Sequence, residues 1–138
     1  MNAPDWLLRS APRYARLALG AAFLSGIASR FGLWGRNVGY GSFAAFEQYT
    51  AEVNAFMPRS TIPFLAWTAT AAELGLGLAL VLGLWPRPVA LASAVLLALF
   101  GLAMALSLGI KSPLDYSVFS ASAAALLLAA RAPATERP

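Results

Sequence analysis

Glu73 is the residue of this sequence whose type and position most clearly suit a chemical role, because it is the single charged side chain in the apolar stretch 62–85. A helix over this stretch would be roughly 36 Å long, enough to cross a hydrocarbon core of about 30 Å. A charged side chain at mid-depth costs roughly 2.5–3.5 kcal/mol to insert. We therefore expect Glu73 to face protein or a watery cleft, and to have a polar partner.

Other polar side chains stand within or at the ends of apolar stretches and could share a pocket with this acid. Besides Glu73, the candidate ligand-binding residues are Arg30, Thr70, Lys111, Tyr116 and Ser117. No residue is assigned a catalytic role. The alternative interpretation is structural: hydroxyls bond to carbonyls of their own helices, and Glu73 forms an ion pair or bonds to hydroxyls such as Ser25 or Thr70.

Two residue types with versatile chemistry are missing, since the 138 residues include no cysteine and no histidine. Their absence excludes disulfides, thiol redox chemistry, and metal or haem ligation by these side chains. We predict no metal site and no covalently bound cofactor. The net charge is +4, but the basic residues are scattered at the ends of apolar stretches. Because they form no basic patch, we predict no nucleic acid partner.

The composition is that of a membrane protein. Hydrophobic residues make up 59% of the chain and charged residues only 12%, whereas a soluble domain has about 25% charged residues. The length leaves no room for a second domain beside several spans. We therefore predict one multi-pass domain in the lipid bilayer.

The apolar stretches predict four membrane-spanning helices joined by short connections. They cover residues 17–34, 62–85, 89–110 and 113–130. The predicted fold class is all-α, an integral membrane four-helix bundle. Pro86 and Pro88 predict the reversal between the second and third spans, because proline cannot donate a helical hydrogen bond. Ser112 is the predicted N-cap of the fourth span, with Pro113 in its first turn.

Between the first two spans, residues 35–61 have mixed polarity, with apolar side chains at steps of three and four residues. This pattern predicts an amphipathic helix with Ser42 as its N-cap and Pro58 just past its end. Its apolar face is too short to span a membrane. We expect it to lie at the interface, either as a structural cap on the bundle or as a lid over a cavity.

The basic residues predict the orientation in the membrane. One side of the four-span topology holds Arg9, Arg13, Arg16, Arg87, Arg131 and Arg137. The other holds Arg30, Arg36, Arg59 and Lys111, and it also has a much longer loop that contains Glu47 and Glu52. Because cytoplasmic loops are richer in Lys and Arg, both termini are predicted to be cytoplasmic, in the inner (plasma) membrane. The chain then divides into an N-terminal lead (1–16), a transmembrane domain (17–130) and a tail (131–138).

Three stretches resemble the DoxX family of small four-span bacterial membrane proteins. They are RLALGAAFLSGIASR (16–30), ATAAELGLGLALVLGL (69–84) and KSPLDYSVFS (111–120). The second matches the family's acid-then-glycines pattern at Glu73, Gly75, Gly77 and Gly83, and the first matches its small-residue span ending in a basic residue, Arg30. The resemblance implies a link to membrane redox systems, including quinone reduction and sulfur or oxidative-stress partners.

Three hypotheses for the function follow. The first is a membrane subunit of an oxidoreductase assembly, itself non-catalytic, in which Glu73 moves a proton beside a quinone and a protein partner supplies electrons. The second is a small-molecule or lipid-binding or transport bundle, with Glu73 and Arg30 as a polar floor. The third is a structural assembly factor with no activity of its own. Each is compatible with a homo-oligomer.

Overall fold

The computed structural model describes residues 3–132, and within them the chain is all-α, as predicted. Arg137 and the rest of the predicted tail beyond residue 132 lie outside the described residues. Six helices follow one another, with a single 3-10 turn at Arg59–Thr61 just before the third. The helices are Asp5–Arg30 (α1), Phe43–Val53 (α2), Ile62–Leu82 (α3), Pro86–Leu108 (α4), Lys111–Asp115 (α5) and Val118–Arg131 (α6).

The first helix begins earlier than the predicted span, because Pro12 does not break it. Pro4 occupies the N-cap position, and the helix runs from Asp5 through Pro12 to Arg30. Trp6 and the basic residues of the predicted lead therefore belong to the same helix as the apolar segment. At its other end, the helix stops at Arg30 instead of reaching residue 34. The indole of Trp34 folds back and donates to the Ser25 hydroxyl at 3.1 Å.

The four longer helices form a bundle of two closely packed pairs. α1 packs along α3, and α6 packs closely along α4. The contacts between the pairs are sparser, both between α1 and α6 and between the consecutive helices α3 and α4. A cluster of apolar side chains fills the centre of this bundle: Leu19, Phe23, Leu80, Val89, Ala94 and Ala125.

The short helix α2 lies across one end of the bundle and contacts both α3 and α4. Its sequence predicts its start correctly, since the Ser42 hydroxyl accepts a hydrogen bond from the Ala45 amide at 3.2 Å. Phe46 and Thr50, one turn apart, are the buried residues of its inner face. The helix ends at Val53, one turn before the predicted end, where the Asn54 side chain donates to the Thr50 carbonyl. The amphipathic helix is therefore confirmed, with a shorter extent.

The loop between α1 and α2 is fixed to the end of α1. The Ser29 hydroxyl accepts a hydrogen bond from the Tyr40 amide at 2.8 Å. Gly39 precedes this amide with a φ of +65°, and a Cβ at this position would collide with the Ser29 hydroxyl. A glycine is required here both for its left-handed conformation and for its lack of a side chain. The loop thereby holds Tyr40 beside Arg30.

The predicted reversal at Pro86 and Pro88 is wrong by a few residues. The chain reverses at Gly83–Trp85, where Gly83 has a left-handed φ of 74° and Trp85 a φ of 39°. Both prolines lie in the first turn of α4. The first amides of a helix have no intrahelical acceptor, so a proline there loses no hydrogen bond.

The predicted fourth span is divided in two. α5 ends at Asp115 and α6 begins at Val118, with Ser117 between them in a left-handed conformation at φ 55°. Ile110, not Ser112, precedes α5, and no side chain caps it. With 14 residues, α6 is only roughly 21 Å long, shorter than a hydrocarbon core of about 30 Å.

Two of the described helical segments are long and apolar enough to cross a membrane. They are Arg59–Leu82, which includes the 3-10 turn, and Pro86–Leu108. Large apolar side chains cover the outside of the bundle, such as Leu106 at 76% exposed and Leu127 at 69%. Such a surface suits lipid and not water. The complete four-span topology stays a prediction.

Candidate functional site

A buried ion pair joins α1 to α3. Arg30, the last residue of α1, donates from Nη2 to Oε2 of Glu73, in the middle of α3. Arg30 is 4% exposed and Glu73 is 6% exposed, so both charged groups are withdrawn from the surroundings of the bundle. This confirms that the intramembrane acid faces protein and has a partner. The electrostatic attraction offsets the cost of burying two charges.

Thr70 completes the polar cluster from the next turn of α3. Its hydroxyl accepts a hydrogen bond from Arg30 Nη1 at 3.0 Å and donates to the Ala66 carbonyl at 2.7 Å. The guanidinium is thus held by two side chains on one face of α3. Its Nε is buried and has no hydrogen-bond partner among residues 3–132. A buried unsatisfied donor on a charged group costs free energy.

Aromatic side chains cover the pair on the side of α2. The ring of Phe46 lies 3.7 Å from the Arg30 Cζ, a cation–π contact. Tyr40 packs edge-on against Phe46, with ring centroids 5.1 Å apart. Phe43 stacks on Trp67 of α3 at 4.2 Å. The flat rings therefore form a rigid wall next to the only buried cation–carboxylate pair of the described residues.

A cavity of about 780 Å³ adjoins the ion pair. Its volume lies within the range of about 300–1,000 Å³ that is typical of small-molecule sites. α3 and α4 form its walls with mostly apolar side chains, α2 forms its roof, and Arg30 and Glu73 lie at one end. The hydroxyl-bearing residues Tyr40, Tyr49 and Tyr116 line it as well. The cavity is therefore an apolar chamber with one charged, net-neutral end.

The two tyrosines nearest the roof remain neutral at physiological pH. Burial, and to a smaller extent the neighbouring Tyr49, raise the pKa of Tyr40 to about 12 against the opposing effect of Arg30. Burial likewise raises the pKa of Tyr49, with Tyr116 and Glu52 adding to the effect. Desolvation favours the uncharged form of an acid. Both phenols can therefore donate a hydrogen bond to an oxygen in the cavity.

Among the described residues, no group of three or more His, Cys, Asp or Glu side chains could hold a metal ion. The polar side chains that line the cavity are those of an arginine, a carboxylic acid, an asparagine, two threonines and three tyrosines. Such groups recognise oxygen-bearing organic ligands by hydrogen bonds.

Comparison with protein families adds a match to the sequence. A family model described as DoxX matches residues 11–106. The chain belongs to the DoxX family. Family membership and the two membrane-length apolar helices make it a membrane protein. Comparisons with the curated proteins and with the solved structures found no match.

The region that this DoxX protein shares with the family model includes the buried cluster. Arg30, Thr70 and Glu73 all lie within residues 11–106, and the structure brings these three predicted site residues together. Ser25, the other hydroxyl considered as a partner of the acid, is not part of the cluster, because it is exposed and accepts a hydrogen bond from Trp34.

The three predicted site residues beyond the matched region have different positions in the DoxX protein. Tyr116 lines the cavity, although it is largely exposed. Lys111 is also exposed and pairs with Asp115 one turn later in α5, on the surface. Ser117 is exposed at the break before α6. Lys111 and Ser117 are therefore not brought to the cavity.

Sequence reasoning missed Tyr40 and Tyr49. Tyr40 lies in a glycine-rich loop and Tyr49 in the middle of α2, and both line the cavity. The spacing of Phe46, Tyr49 and Val53 along the amphipathic helix was the available signal, since these residues share one face with steps of three and four. The sequence predicted that this face contacts the bundle. It could not predict that the face covers a cavity, because the cavity exists only where α3 and α4 separate in the folded structure.

Proposed function

We propose that this DoxX protein binds a quinone in the cavity, as the membrane component of a redox-linked system. The observation that carries the proposal is the combination of an apolar cavity of about 780 Å³ with the buried Arg30–Glu73 pair at one end. A quinone has a flat ring with carbonyl oxygens and an apolar tail. The aromatic rings of Phe46, Tyr40 and Tyr49 on the lining, the hydrogen-bond donors and the apolar chamber suit these three parts in turn.

The charge balance of the site favours a neutral ligand. Glu73 already compensates the Arg30 guanidinium, so an anionic ligand would be repelled by the carboxylate while competing with it for the same cation. A carbonyl oxygen needs only a donor. The neutral hydroxyl of Tyr40, a residue that lines the cavity, is such a donor. A quinone carbonyl therefore suits the site better than a fatty acid or a phosphate.

The protein's own part in a redox reaction would be binding and proton movement. Reducing a quinone to a quinol takes two electrons and two protons. The chain has no cysteine or histidine, so we propose that a protein partner delivers the electrons. Glu73, the one carboxyl that lines the cavity, is the group placed to relay the two protons in turn, taking up each from water before it passes to a ring oxygen. In this proposal the chain is a non-catalytic subunit of an oxidoreductase complex.

Purification tests the proposal directly. The protein would be isolated in mild detergent, and co-purifying small molecules identified by mass spectrometry. In parallel, a short-chain quinone such as decyl-ubiquinone would be titrated while tryptophan fluorescence is recorded, since Trp67 stands beside the aromatic wall. We expect saturable quenching. No quinone in the extract and no saturable quenching would contradict quinone binding.

A pair of arginine variants makes this titration specific. Arg30→Lys keeps the charge but removes the planar fork, and we expect the dissociation constant to rise about tenfold or more, because hydrogen bonds from charged groups are lost. Arg36→Lys makes the same change on an exposed loop residue that does not line the cavity. It should leave binding unchanged. Equal effects of the two variants on the dissociation constant would show that Arg30 does not contact the ligand.

The roof formed by α2 supports a second candidate, a lipid-binding or transport bundle in which α2 acts as a lid. The Ala55 amide, just beyond α2, donates to the Ser107 hydroxyl of α4 at 3.3 Å, and this hydrogen bond is the type of contact that lid opening would break. Recovery of a phospholipid or another lipid in place of quinone from the purified protein would favour this candidate.

A further inference from the structure

We propose that the ligand enters the cavity sideways from the lipid bilayer, through an opening between α3 and α4. This inference rests on the proposed function, and it names the route by which the ligand arrives and the place of its apolar tail. The polar end would bind beside Arg30 and Glu73, and the tail would pass between the two helices into the hydrocarbon.

The first step of the argument is the packing of the bundle. α1 packs closely along α3 and α6 along α4, whereas α3 and α4 contact each other little, as do α1 and α6. A tight turn at Gly83–Trp85 nevertheless joins α3 to α4. The two helices are therefore held close at the turn, and few contacts hold them together beyond it.

The second step is the depth of the opening. Ala72 of α3 and Leu96 of α4 both line the cavity, and each is the same number of residues away from Leu84 in the turn. The lining residues Leu65 and Ala103 form a second such pair, farther from the turn. At about 1.5 Å per residue, these pairs lie roughly 18 Å and 28 Å from the turn. The cavity thus occupies the half of the α3–α4 pair that is remote from the turn.

The third step is that the cavity reaches the outer surface between these helices. Thr68 of α3 and Leu99 of α4 line the cavity, and both are exposed, Leu99 at 58%. They stand at nearly the same distance from the turn, on opposite edges of the opening. Leu102 and Leu106, farther along α4, are also exposed, so the surroundings of the opening are apolar. Such an opening faces hydrocarbon in a membrane protein, not water.

The fourth step is the position of α2. It contacts both α3 and α4, and the Ala55–Ser107 hydrogen bond fixes its end to α4. α2 therefore closes the separated ends of the two helices while leaving the side between them open. An amphiphile coming from the bilayer meets small side chains, Ala69 and Ala72 on α3, before it reaches the ion pair. The chamber receives the head, and the opening accommodates the tail.

Because the chain contains no cysteine, a single introduced thiol can block the opening selectively. Thr68→Cys would be modified with a bulky maleimide after reconstitution into nanodiscs, and the exchange of bound decyl-ubiquinone would be followed. Leu78→Cys, an exposed position on α3 that does not line the cavity, is the matched control. We expect modification at residue 68 to slow exchange about tenfold or more, since an obstructed path changes rate constants before affinity. Modification at residue 78 should have no effect.

Exchange that proceeds at the same rate after Thr68→Cys is modified would overturn the proposal and indicate entry from the aqueous side, near Tyr116. A second measurement covers the case in which no quinone binds at all. The protein would be reconstituted with a phospholipid that carries a photoreactive group on its acyl chain, and the cross-linked residues mapped. We expect adducts at Ala69 and Ala72. Adducts only at outward-facing residues such as Leu78 would show that hydrocarbon chains do not enter, whether or not quinone binding fails.

Discussion

At the scale of single residues, the Arg30–Glu73 pair places a charge that is unfavourable in lipid next to an opposite charge, which lowers the cost of burying it. Removing one member leaves the other charge buried and unpaired, which typically costs about 3–5 kcal/mol. We expect Glu73→Leu to lower the free energy of unfolding by an amount of this order. The double variant Arg30→Met with Glu73→Leu should regain most of the loss, because no buried charge remains. Unfolding by denaturing detergent measures both changes.

The exposed pair Lys111–Asp115 is the control for this prediction. Both its side chains are largely exposed, and such pairs contribute only about 0–1 kcal/mol. Asp115→Leu should therefore change the stability far less than Glu73→Leu does. If the single and double variants of the buried pair are equally unstable, unpaired charge is not the cause of the loss.

Tyr40 gives a prediction about pH at the same scale. A phenol has an ordinary pKa of 10.0, and burial raises the pKa of Tyr40 to about 12 in the folded protein. The folded state therefore binds the proton more tightly, so its contribution to stability is complete below pH 10 and is lost as the pH rises towards 12. We expect the wild type to lose stability relative to Tyr40→Phe over this interval.

Measuring the free energy of unfolding against pH for both proteins tests this expectation. From neutral pH to the start of the interval, the two curves should run parallel, and this range serves as the internal control. Curves that stay parallel throughout would show that Tyr40 is exposed to solvent and not held under α2.

The polar centre of the site could be predicted from residue types, whereas its aromatic roof could not. An acid in a membrane-length apolar stretch must find a partner, and Arg30 and Thr70 were both candidates for the same pocket, although the sequence did not decide between an ion pair and a hydroxyl partner. Tyr40 reaches the cavity because Gly39 and the Ser29 hydroxyl turn the loop back onto α1. Such tertiary hydrogen bonds have no periodic signal in the sequence.

At the scale of helices, glycine spacing determines how closely α1 and α3 approach. A Cβ built on Gly77 would meet Phe23 and Leu24 of α1 at 3.1 Å, whereas a Cβ on Gly75 would meet nothing within 4 Å. Small residues at such crossings allow backbones to approach in membrane proteins. The two glycines flank Leu76, so they lie in the same helix but face different surroundings.

These glycines provide a matched pair of variants. Gly75→Ala should raise the free energy of unfolding by up to about 1 kcal/mol, because alanine favours the helix. Gly77→Ala gains the same propensity but overpacks the contact with α1, which costs about 1–3 kcal/mol, so we expect a net loss of stability. Thermal unfolding in detergent followed by circular dichroism measures both. A stabilised Gly77→Ala would mean that α1 and α3 are farther apart than described.

The helix boundaries show why proline is an ambiguous signal in a sequence. Pro86 and Pro88 suggested a turn, yet both lie in the first turn of α4, where their missing amides cost nothing. Pro12 lies inside α1, which continues through it. Conversely, no proline marks the break at Ser117, whose left-handed backbone ends one helix before the next begins. Tertiary packing decides these cases, because local preference alone permits both outcomes.

At the scale of the whole molecule, the apolar surface and the family match identify a membrane protein, and the four-span topology is a prediction about α1 and α6. Basic residues occupy the first half of α1, and α6 is short. If both cross the bilayer, the termini and the Gly83–Trp85 turn face one side, and the α1–α2 loop and α5 face the other. The larger number of arginines on the first side predicts that this side is cytoplasmic.

Thiol labelling tests this topology without removing any native cysteine, since the chain has none. Arg36→Cys, in the exposed α1–α2 loop, and Arg87→Cys, exposed at the start of α4, lie on opposite sides of the proposed arrangement. In intact spheroplasts, a membrane-impermeant maleimide should label Arg36→Cys at once and Arg87→Cys only after lysis. The opposite labelling pattern would show that the orientation in the membrane is the reverse of the one proposed. Labelling of both positions before lysis would mean that α3, with its buried acid, does not cross the membrane, so that the lateral opening between α3 and α4 could not face hydrocarbon.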